Sequence, residues 1–371
     1  MKITFPHMGS PLIYDKLFKS LGHDVIVPRT PTKRTIDLGV KYSPEFACFP
    51  YKVLLGTYIE GIEKGANVVI AAGGSGPCRA GFYAELHKKT LLSMGYDVDF
   101  IIFDDIKRDP GMFLKNINIV KGGNSWLKAV KLLWKTYKFA RAVDTLQKTV
   151  EIRRAYELVK GSFNNAFDKI VKRFYDEDLS GMDINKIYIE GKAMLDSLPC
   201  REINEKNRIR VGIIGEIFVV LEPSVNMNIA AVLNEMGCEV YRSMYISDWV
   251  NHSTWPKFFK HRSGQDIIDK SKAYIEIGIG GHERMNIGSI INYKETGYDG
   301  VIHLMPFACL PELVTQSMAP RISKDSQIPI LTLALDEQTG IANNLTRIEA
   351  FVELLRSIKI NRSPDGGTFN E

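Results

Sequence analysis

Three of the five cysteines, Cys48, Cys78 and Cys309, lie where a loop is expected to become a helix. Their segments read EFACFPYK, GGSGPCRAG and MPFACLPE, and each carries the Gly or Pro residues of a tight turn. A helix N-terminus presents unpaired backbone N–H groups and a partial positive charge, which lower the pKa of a thiol. The sequence therefore predicts that these three cysteines form thiolates and converge on one metal site with a fourth position open.

The type of metal is open at this point. A [4Fe–4S] cluster takes Cys thiolates, so three cysteines would hold three irons and leave the fourth iron for water, substrate or another ligand. Zinc with three cysteines and a water is the competing site, although zinc ligands usually include two that are close in sequence. Three unrelated buried thiols are the remaining alternative, because free cysteine is commonly buried.

The other two cysteines are assigned no ligand role. Cys238 lies in a helix-to-strand joint that occurs three times, as LGHDV, MGYDV and MGCEV, where Gly ends a helix and a strand begins at once. Such joints lie at the edge of a sheet where strands begin, so we exclude Cys238 from the metal site. Cys200 follows Pro199 in a connection without a turn-to-helix context, and we interpret it as structural or unligated.

Short apolar runs separated by helical patterns predict an α/β fold with two doubly wound, Rossmann-like parallel-sheet units joined by a helical bridge. Several runs are nearly continuous in Val and Ile, as expected of parallel strands covered on both faces. In open parallel sheets, ligands bind beyond the carboxyl ends of the strands, which is where Cys78 and Cys309 fall. The predicted strands are Lys2–Phe5, Val25–Val27, Asn67–Ala72, Val98–Phe103, Ile209–Ile214, Glu239–Arg242, Gly300–Met305 and Ile328–Leu333.

We predict four regions along the chain. Residues 1–121 form the N-terminal α/β unit, which contains Cys48 and Cys78, and residues 122–206 form the helical bridge. Residues 207–360 form the second α/β unit, which contains Cys309, and residues 361–371 form a flexible tail.

The bridge combines an apolar stripe with positive charge. Trp126, Val130, Leu133, Tyr137 and Ala140 recur at helical spacing, and we predict that they pack in the core. Residues 121–175 contain 13 Lys or Arg against 4 Asp or Glu. A solvated helical face explains this excess, and a docking surface for an acidic partner or for coenzyme phosphates is the alternative. No nucleic-acid-binding motif accompanies the charge, so nucleic acid is not an expected partner.

The overall composition is that of a globular protein, with 371 residues, 45% hydrophobic residues, 25% charged residues and a net charge of +5. An odd number of cysteines in a chain of this length argues against a disulfide framework. The N-terminus lacks the pattern of a signal peptide, and no apolar run is long enough to span a bilayer. We therefore expect a cytoplasmic protein without a membrane partner.

The segments CFPYKVLLG, GSGPCRAG and HLMPFACLPE, followed by LDEQTG and TRIEAF, resemble the 2-hydroxyacyl-CoA dehydratase family. The similarity is closest to its activase-associated branch, which includes the double-cubane cluster proteins and the C-terminal parts of large acyl-CoA dehydratase activases. It covers most of the chain and is weakest in the bridge. It is specific because the three cysteine contexts occur in the same order and with the same strand-loop-helix arrangement.

The resemblance implies an oxygen-sensitive iron–sulfur protein whose cluster is held between two α/β units by Cys48, Cys78 and Cys309. It also implies an ATP-dependent activator protein, with its own iron–sulfur cluster, as the source of low-potential electrons. Family dehydratases remove water from a 2-hydroxyacyl-CoA through a ketyl radical, whereas the double-cubane relatives reduce small molecules. Only three cysteines are well placed, so a [4Fe–4S] cluster is expected before a double-cubane [8Fe–9S] cluster.

The resemblance admits two further readings of partners and role. A homologous subunit or a second copy of the chain is a further partner. A non-catalytic electron relay or scaffold protein is the alternative to an enzyme. The sequence contains no Gly-x-x-x-x-Gly-Lys-Ser/Thr loop, so we expect no bound nucleotide and assign ATP use to the partner.

Candidate catalytic residues follow or precede the predicted strands. His282 in the segment IGIGGHE could approach the cluster or cap a turn. Glu216 follows a strand and could face the cleft or cap a helix. Ser10, with His7, ends the first strand region and could line the same crevice. Arg79, beside Cys78, is predicted to offset the negative charge of a cluster.

Overall fold

The computed structural model of the chain describes residues 1–73, 78–103, 109–254, 258–259 and 263–362. It is an α/β protein with two four-stranded sheets, each entirely parallel and flanked by helices. The predicted fold class is therefore confirmed. No helix within these ranges is both long enough and apolar enough to cross a lipid bilayer.

The first sheet has the strand order β2-β1-β3-β4. Its central strand β3 has four of five residues buried, as expected when helices cover both faces of a parallel sheet. The strands are β1 (Lys2–Thr4), β2 (Asp24–Val25), β3 (Val68–Ala72) and β4 (Asp99–Phe103). The helices of this part are α1 (Pro11–Ser20), α2 (Lys33–Tyr42), α3 (Phe49–Glu63), α4 (Tyr83–Ser93) and α5 (Pro110–Val120).

The second sheet repeats this arrangement as β6-β5-β7-β8. All seven residues of β7 are buried. The strands are β5 (Ile209–Gly215), β6 (Cys238–Arg242), β7 (Gly300–Pro306) and β8 (Ile330–Leu335). Between and after them lie α9 (Ile217–Leu221), α10 (Ile229–Glu235), α11 (Ile246–Thr254), α12 (Gln265–Lys270), α13 (Glu283–Glu295), α14 (Leu310–Ser326) and α15 (Ile341–Arg362). All eight predicted strands are present, with ends shifted by no more than two residues.

The shared strand order creates the same crevice in both sheets. The chain connections reverse direction between the first and third strands of each sheet, and ligands of doubly wound folds bind at that point, beyond the carboxyl ends of the strands. In the first sheet the crevice lies between β1 and β3, and in the second between β5 and β7. The chain passes from β3 towards Cys78 and from β7 to Cys309, so both cysteines follow a strand that borders a crevice.

The three predicted helix-to-strand joints are confirmed. The helices α1, α4 and α10 are followed by Gly22, Gly95 and Gly237, whose φ values are 90°, 86° and 76°. Glycine adopts this left-handed conformation without the steric cost that a Cβ imposes. Cys238 is the first residue of β6, at the edge of the sheet where strands begin.

The region between the sheets contains three long helices, α6 (Trp126–Arg153), α7 (Ser162–Asp176) and α8 (Ile184–Asp196). The predicted core stripe of α6 is wrong: Trp126, Val130 and Leu133 are exposed, and of the five predicted residues only Ala140 is buried. The face that packs in the core is another one, with Ala129, Leu132, Thr136, Phe139, Ala140 and Val143. Both faces repeat at helical spacing, so periodicity alone did not distinguish them.

The predicted region boundaries at residues 121, 206 and 360 stay predictions, because the architecture does not define a cut between units. The helix α15 continues through Arg362, two residues into the predicted tail. The rest of the predicted tail lies outside the described residues.

The two α/β units are tied together on the side of the cysteines. Phe49 and Val53 of α3 belong to the apolar cluster of the second sheet. Lys52 of the same helix is buried and forms an ion pair with Glu337 at 2.5 Å. Because α3 begins directly after Cys48, these contacts fix that cysteine relative to the second unit.

The helix α6 is attached to the second sheet by a buried ion pair. Arg242 of β6 pairs with Glu151 of α6, and both side chains are almost fully buried. The Tyr245 hydroxyl donates a hydrogen bond to the same carboxylate at 2.5 Å. Removal of either partner would leave a buried, unpaired charge, which strongly lowers the stability of a protein.

The helices α2 and α3 cross at backbone contact distance through two glycines. A Cβ atom added at Gly39 would lie 1.8 Å from the carbonyl oxygen of Lys52, and one added at Gly56 would lie 1.8 Å from that of Thr35. We expect Gly56→Ala to lower the free energy of unfolding by about 1–3 kcal/mol, because a packed backbone cannot accept the methyl group without moving. Urea unfolding would measure this change. Gly123→Ala is the matched control, because its Cβ would meet no atom within 4 Å. Equal stability of the two variants would contradict the close crossing.

Candidate functional site

Each of the three predicted cysteines is the N-cap residue of a helix. Cys48 precedes α3, and Cys309 precedes α14. Cys78 precedes a 3₁₀ turn at Arg79–Phe82 that runs directly into α4. Pro occupies the first turn after Cys48 and after Cys309, where its missing N–H group costs nothing. The predicted loop-to-helix position is confirmed for all three residues, although residues 74–77 before Cys78 lie outside the described part.

The fold brings these cysteines near one another. Cys48 is close enough to both Cys78 and Cys309 for electrostatic interaction. Glu216 interacts in the same way with each of the three. Three cysteines from distant segments of the chain are therefore all within electrostatic range of the same carboxyl group.

The other two cysteines lie in different surroundings. Cys238 is fully buried at the start of β6. Cys200 forms an isolated bridge with Glu157, and its sulfur lies 3.8 Å from the carbonyl oxygen of Arg153. Both placements agree with the sequence-based interpretation of these residues as structural.

The expectation that the three helix N-termini produce free thiolates is wrong for the protein without metal. Burial raises the pKa of Cys48 to about 11, and burial is also the largest cause of the raised pKa values of Cys78 and Cys309. The carboxylates of Glu216 and Glu312 add to the effect at Cys309. Desolvation thus outweighs the helix N-termini. The thiols ionise when a bound cation replaces their protons.

Cys309 is held by a strained loop. Ala308, which precedes it, has φ 62°, a left-handed conformation that is unfavourable for residues with a Cβ. The N–H group of Phe307 donates a hydrogen bond to the carbonyl oxygen of Leu335 at 2.8 Å. The N–H group of Cys309 donates one to the carbonyl oxygen of Pro306 at 3.1 Å. Local strain of this kind concentrates at functional sites, where the surrounding structure enforces it.

Arg79 connects the loops of two cysteines. Its guanidinium group donates a hydrogen bond to the carbonyl oxygen of Phe46 at 2.6 Å, which joins the turn after Cys78 to the segment before Cys48. This contact gives Arg79 a structural role. Its predicted effect on the charge of a cluster stays a prediction.

Sequence analysis missed Tyr83, whose hydroxyl is hydrogen-bonded to the sulfur of Cys48. The Tyr83 ring contacts the Tyr51 ring edge-on, with 5.2 Å between the ring centres. The His87 ring stacks on the Tyr51 ring, with 4.1 Å between the centres. Burial raises the pKa of Tyr83, and its interaction with Cys48 raises it further. The only available signal was its position in the first turn of the helix that follows Cys78. Tyr83 is the phenol donor nearest to the predicted sulfur ligands.

A buried polar network lies next to the first turn of α14, which Cys309 precedes. Sequence analysis also missed this network. The imidazole Nε2 of His303 is 2.7 Å from a carboxylate oxygen of Glu312, and the Asn286 amide donates to both oxygens of that carboxylate at 2.9 and 3.1 Å. The Asn286 side-chain oxygen accepts a hydrogen bond from the N–H group of Gly215 at 3.1 Å. The network joins β5, β7, α13 and α14, and so holds the start of α14 in place.

The helix-cap interpretation of Glu216 is confirmed. Its carboxylate caps α9 by accepting hydrogen bonds from the N–H groups of Phe218 and Val219 at 3.0 and 3.2 Å. Its charge also contributes to the raised pKa values of the three cysteines, while its predicted position at the cleft stays a prediction. Burial raises the pKa of Glu216 to about 7, and the charge of Glu312 contributes.

The remaining candidates differ in their surroundings. His282 precedes α13 without a capping hydrogen bond from its side chain, and burial lowers its pKa, while Glu312 and Glu283 oppose that effect. Ser10 precedes α1, and its side chain likewise makes no capping bond. The imidazole Nδ1 of His7 lies 2.6 Å from a carboxylate oxygen of Glu222, which belongs to the other α/β unit.

The chemistry of the donor set fits a cluster of several irons. Three thiols, each at the start of a different helix, match the ligands that iron–sulfur clusters take, with each thiolate bound to a different iron. Within the described ranges, no group of three or more His, Cys, Asp or Glu side chains is arranged so that it could hold a metal ion. Cluster loading would therefore require the donor side chains to move from these positions.

Comparisons with known proteins add no assignment: no protein-family model matches the chain, and no curated protein matches it. The family resemblance therefore stays a prediction that rests on the cysteine motifs.

Proposed function

We propose that the chain is an iron–sulfur protein of the 2-hydroxyacyl-CoA dehydratase type. It holds a [4Fe–4S] cluster through Cys48, Cys78 and Cys309 and receives low-potential electrons from an ATP-dependent activator. The observation that carries the proposal is the convergence of three N-cap cysteines from three distant segments. A bound cluster would supply single electrons at low potential and one iron with an open coordination position.

The residues of the chain prepare the site for a negatively charged group. Backbone N–H groups in the first turn after each cysteine, those of Tyr51, Ala80 and Glu312, oppose the burial that raises the thiol pKa values and so stabilise negative charge on the sulfurs. Tyr83 is placed to donate a hydrogen bond to the Cys48 sulfur, and hydrogen bonds to cluster sulfurs tune the reduction potential.

Glu216 is the side chain best placed to exchange a proton with a substrate. Its carboxylate accepts hydrogen bonds from two backbone N–H groups and interacts electrostatically with all three cysteines. Loss of a hydroxyl group as water requires a proton, and an oriented carboxyl group beside the leaving group provides it. His282 and Ser10 are the other candidates for this role.

Anaerobic purification followed by iron and sulfide analysis tests the cofactor. We expect about four irons and four sulfides per chain, as in one cubane cluster. EPR spectroscopy of the reduced protein checks the cluster type. Stoichiometric zinc without sulfide would refute the proposal, and eight irons per chain would favour a double-cubane small-molecule reductase.

The same sample distinguishes an enzyme from an electron relay or scaffold. Addition of a 2-hydroxyacyl-CoA to the reduced protein should change its EPR spectrum if the open iron is accessible to substrate. An unchanged spectrum would favour a relay or scaffold that buries this iron.

The isolated chain is expected neither to hydrolyse ATP nor to bind it tightly, because no phosphate-binding loop is visible in the sequence. Phosphate release and equilibrium dialysis with labelled ATP measure the two properties. The control is the same assay with an ATPase of known activity. Sustained hydrolysis by the purified chain would disprove the assignment of ATP use to a separate activator.

A further inference from the structure

The first four turns of α6 carry three distinct faces. Successive residues of a helix are rotated by about 100°, which sorts residues 126–140 into a buried arc, an arc of lysines and an exposed apolar arc about 120° wide. The buried arc packs in the core through Ala129, Leu132, Thr136, Phe139 and Ala140. The lysine arc contains Lys128, Lys131, Lys135 and Lys138. The exposed apolar arc, here called the α6 stripe, contains Trp126, Leu127, Val130, Leu133 and Trp134.

The α6 stripe is unusual for a solvated surface. Leu127 is 82% exposed, Val130 58% and Trp134 56%. Single exposed apolar residues are ordinary, but contiguous exposed patches usually mark interaction sites. The stripe runs from Trp126 to the turn of Tyr137, about 17 Å along the helix at 1.5 Å per residue, and an amphipathic helix buries a face of similar width.

The aromatic side chains of the stripe are held in place. The ring of Trp134 stacks on that of Tyr137 at 5.4 Å, and the Tyr137 hydroxyl donates to the side-chain oxygen of Asn251 at 2.8 Å. The ammonium group of Lys138 lies 5.8 Å from the centre of the Trp134 ring. Rigid Trp and Tyr side chains contribute large contact areas at low entropic cost, which is why they dominate protein interfaces.

The helix segment beside the stripe carries an excess of positive charge. Residues 110–143 contain seven Lys or Arg and no Asp or Glu. Lys135 donates to the carbonyl oxygen of Ser180 and interacts electrostatically with nearby carboxylates, among them Asp178. Lys128, Lys131 and Lys138 make no ion pair within the described part of the chain. A second copy bound through the same stripe would bring no carboxylate from this segment to meet these lysines. The complementary occupant is therefore acidic.

We propose that the α6 stripe is a docking surface for a partner protein that presents an apolar helix face bordered by carboxylates. The apolar arc and its length match a helix, and the lysine arc along one edge sets the orientation and favours acidic partners. The proposal does not depend on the cluster, because the stripe and its lysines are present whatever the cysteines bind.

Two designed peptides test the proposal with the full-length protein. Both are 18-residue helices with one leucine face, bordered by glutamates in one peptide and by lysines in the other. Fluorescence anisotropy of the labelled peptides should show at least about tenfold tighter binding of the glutamate-bordered peptide at low salt. The difference should shrink towards 1 M salt, where the Debye length falls to about 3 Å. Equal binding of the two peptides would overturn the proposal.

Variants of the protein show whether the stripe is the binding surface. Leu127→Ser combined with Val130→Ser should weaken binding of the glutamate-bordered peptide at least about tenfold, because it removes two central apolar contacts. Ile189→Ser, at a 64% exposed position on α8, is the matched control and should leave binding unchanged. A similar loss in the control, or no loss in the stripe variant, would refute the assignment.

Reversal of charge gives an independent result. The triple variant Lys128→Glu, Lys131→Glu and Lys138→Glu should invert the preference, so that the lysine-bordered peptide binds more tightly. An unchanged preference would overturn the proposed role of the lysines.

Two other occupants would also contradict the proposal. Preferential binding to vesicles of phosphatidylcholine and phosphatidylserine, without discrimination between the peptides, would identify a lipid surface. A dimer in sedimentation equilibrium that Leu127→Ser abolishes would identify a second copy of the chain.

Discussion

Replacement of Cys48, Cys78 or Cys309 by alanine is expected to remove most of the bound iron and sulfide from the anaerobically purified protein. Each thiolate would bind a different iron. A variant without one of these cysteines lacks one iron–sulfur bond to the protein, and no other described cysteine lies near enough to replace it. The iron content per chain should fall at least about tenfold, because loss of a ligand prevents the cluster from binding stably.

The two remaining cysteines are matched controls for this experiment. Cys238→Ala removes a fully buried thiol at the start of β6, and Cys200→Ala removes a half-buried one beside Arg153. Both variants should retain the iron and sulfide content of the unmodified protein. Far-UV circular dichroism checks that every variant is folded. Equal loss of iron in the Cys238 variant would contradict the assignment of ligands by topology.

Arg242→Met is expected to lower the free energy of unfolding by about 3–5 kcal/mol, because it leaves the carboxylate of Glu151 buried without its cation. Glu151 would retain only neutral hydrogen-bond donors, the Tyr245 hydroxyl and the Gln147 amide. This helix, α6, packs on α1 of the first unit and on β6 of the second, so its loosening affects the whole molecule. Denaturant unfolding, monitored by circular dichroism, measures the change.

A second substitution separates the cost of an unpaired charge from the value of the pair. The double variant Arg242→Met and Glu151→Leu should recover most of the lost stability, since a well-packed apolar pair often replaces a buried ion pair at little cost. Lys160→Met is the exposed control: its partner Glu235 is mostly solvated, and its loss should change stability by less than about 1 kcal/mol. A double variant no more stable than Arg242→Met alone would show that the ion pair itself is needed.

Much of the backbone could be predicted from the sequence. All eight strands, the three glycine joints and the N-cap positions of Cys48, Cys78 and Cys309 follow from residues that are neighbours in the chain. Glycine permits a left-handed turn, proline begins a helix, and continuous Val and Ile runs form strands covered on both faces. These preferences act over a few residues, so a single sequence reveals them.

Other features depend on residues that are distant in the chain. No local pattern indicated that Tyr83 contacts the sulfur of Cys48, or that Asn286 and His303 both form hydrogen bonds with Glu312. For the same reason the expected low thiol pKa values were wrong. A helix N-terminus is visible in a short segment, whereas the desolvation that raises the pKa values comes from all the elements packed around the site.

The α6 helix shows the same division. Its sequence established a long helix with apolar residues at helical spacing and an excess of lysines, because helical periodicity is a local property. Only the tertiary structure decided that Ala129 and Leu132 face the core while Leu127 and Trp134 face solvent. Two apolar faces of one helix have the same period, and the one that is buried is the one against which the rest of the chain can pack.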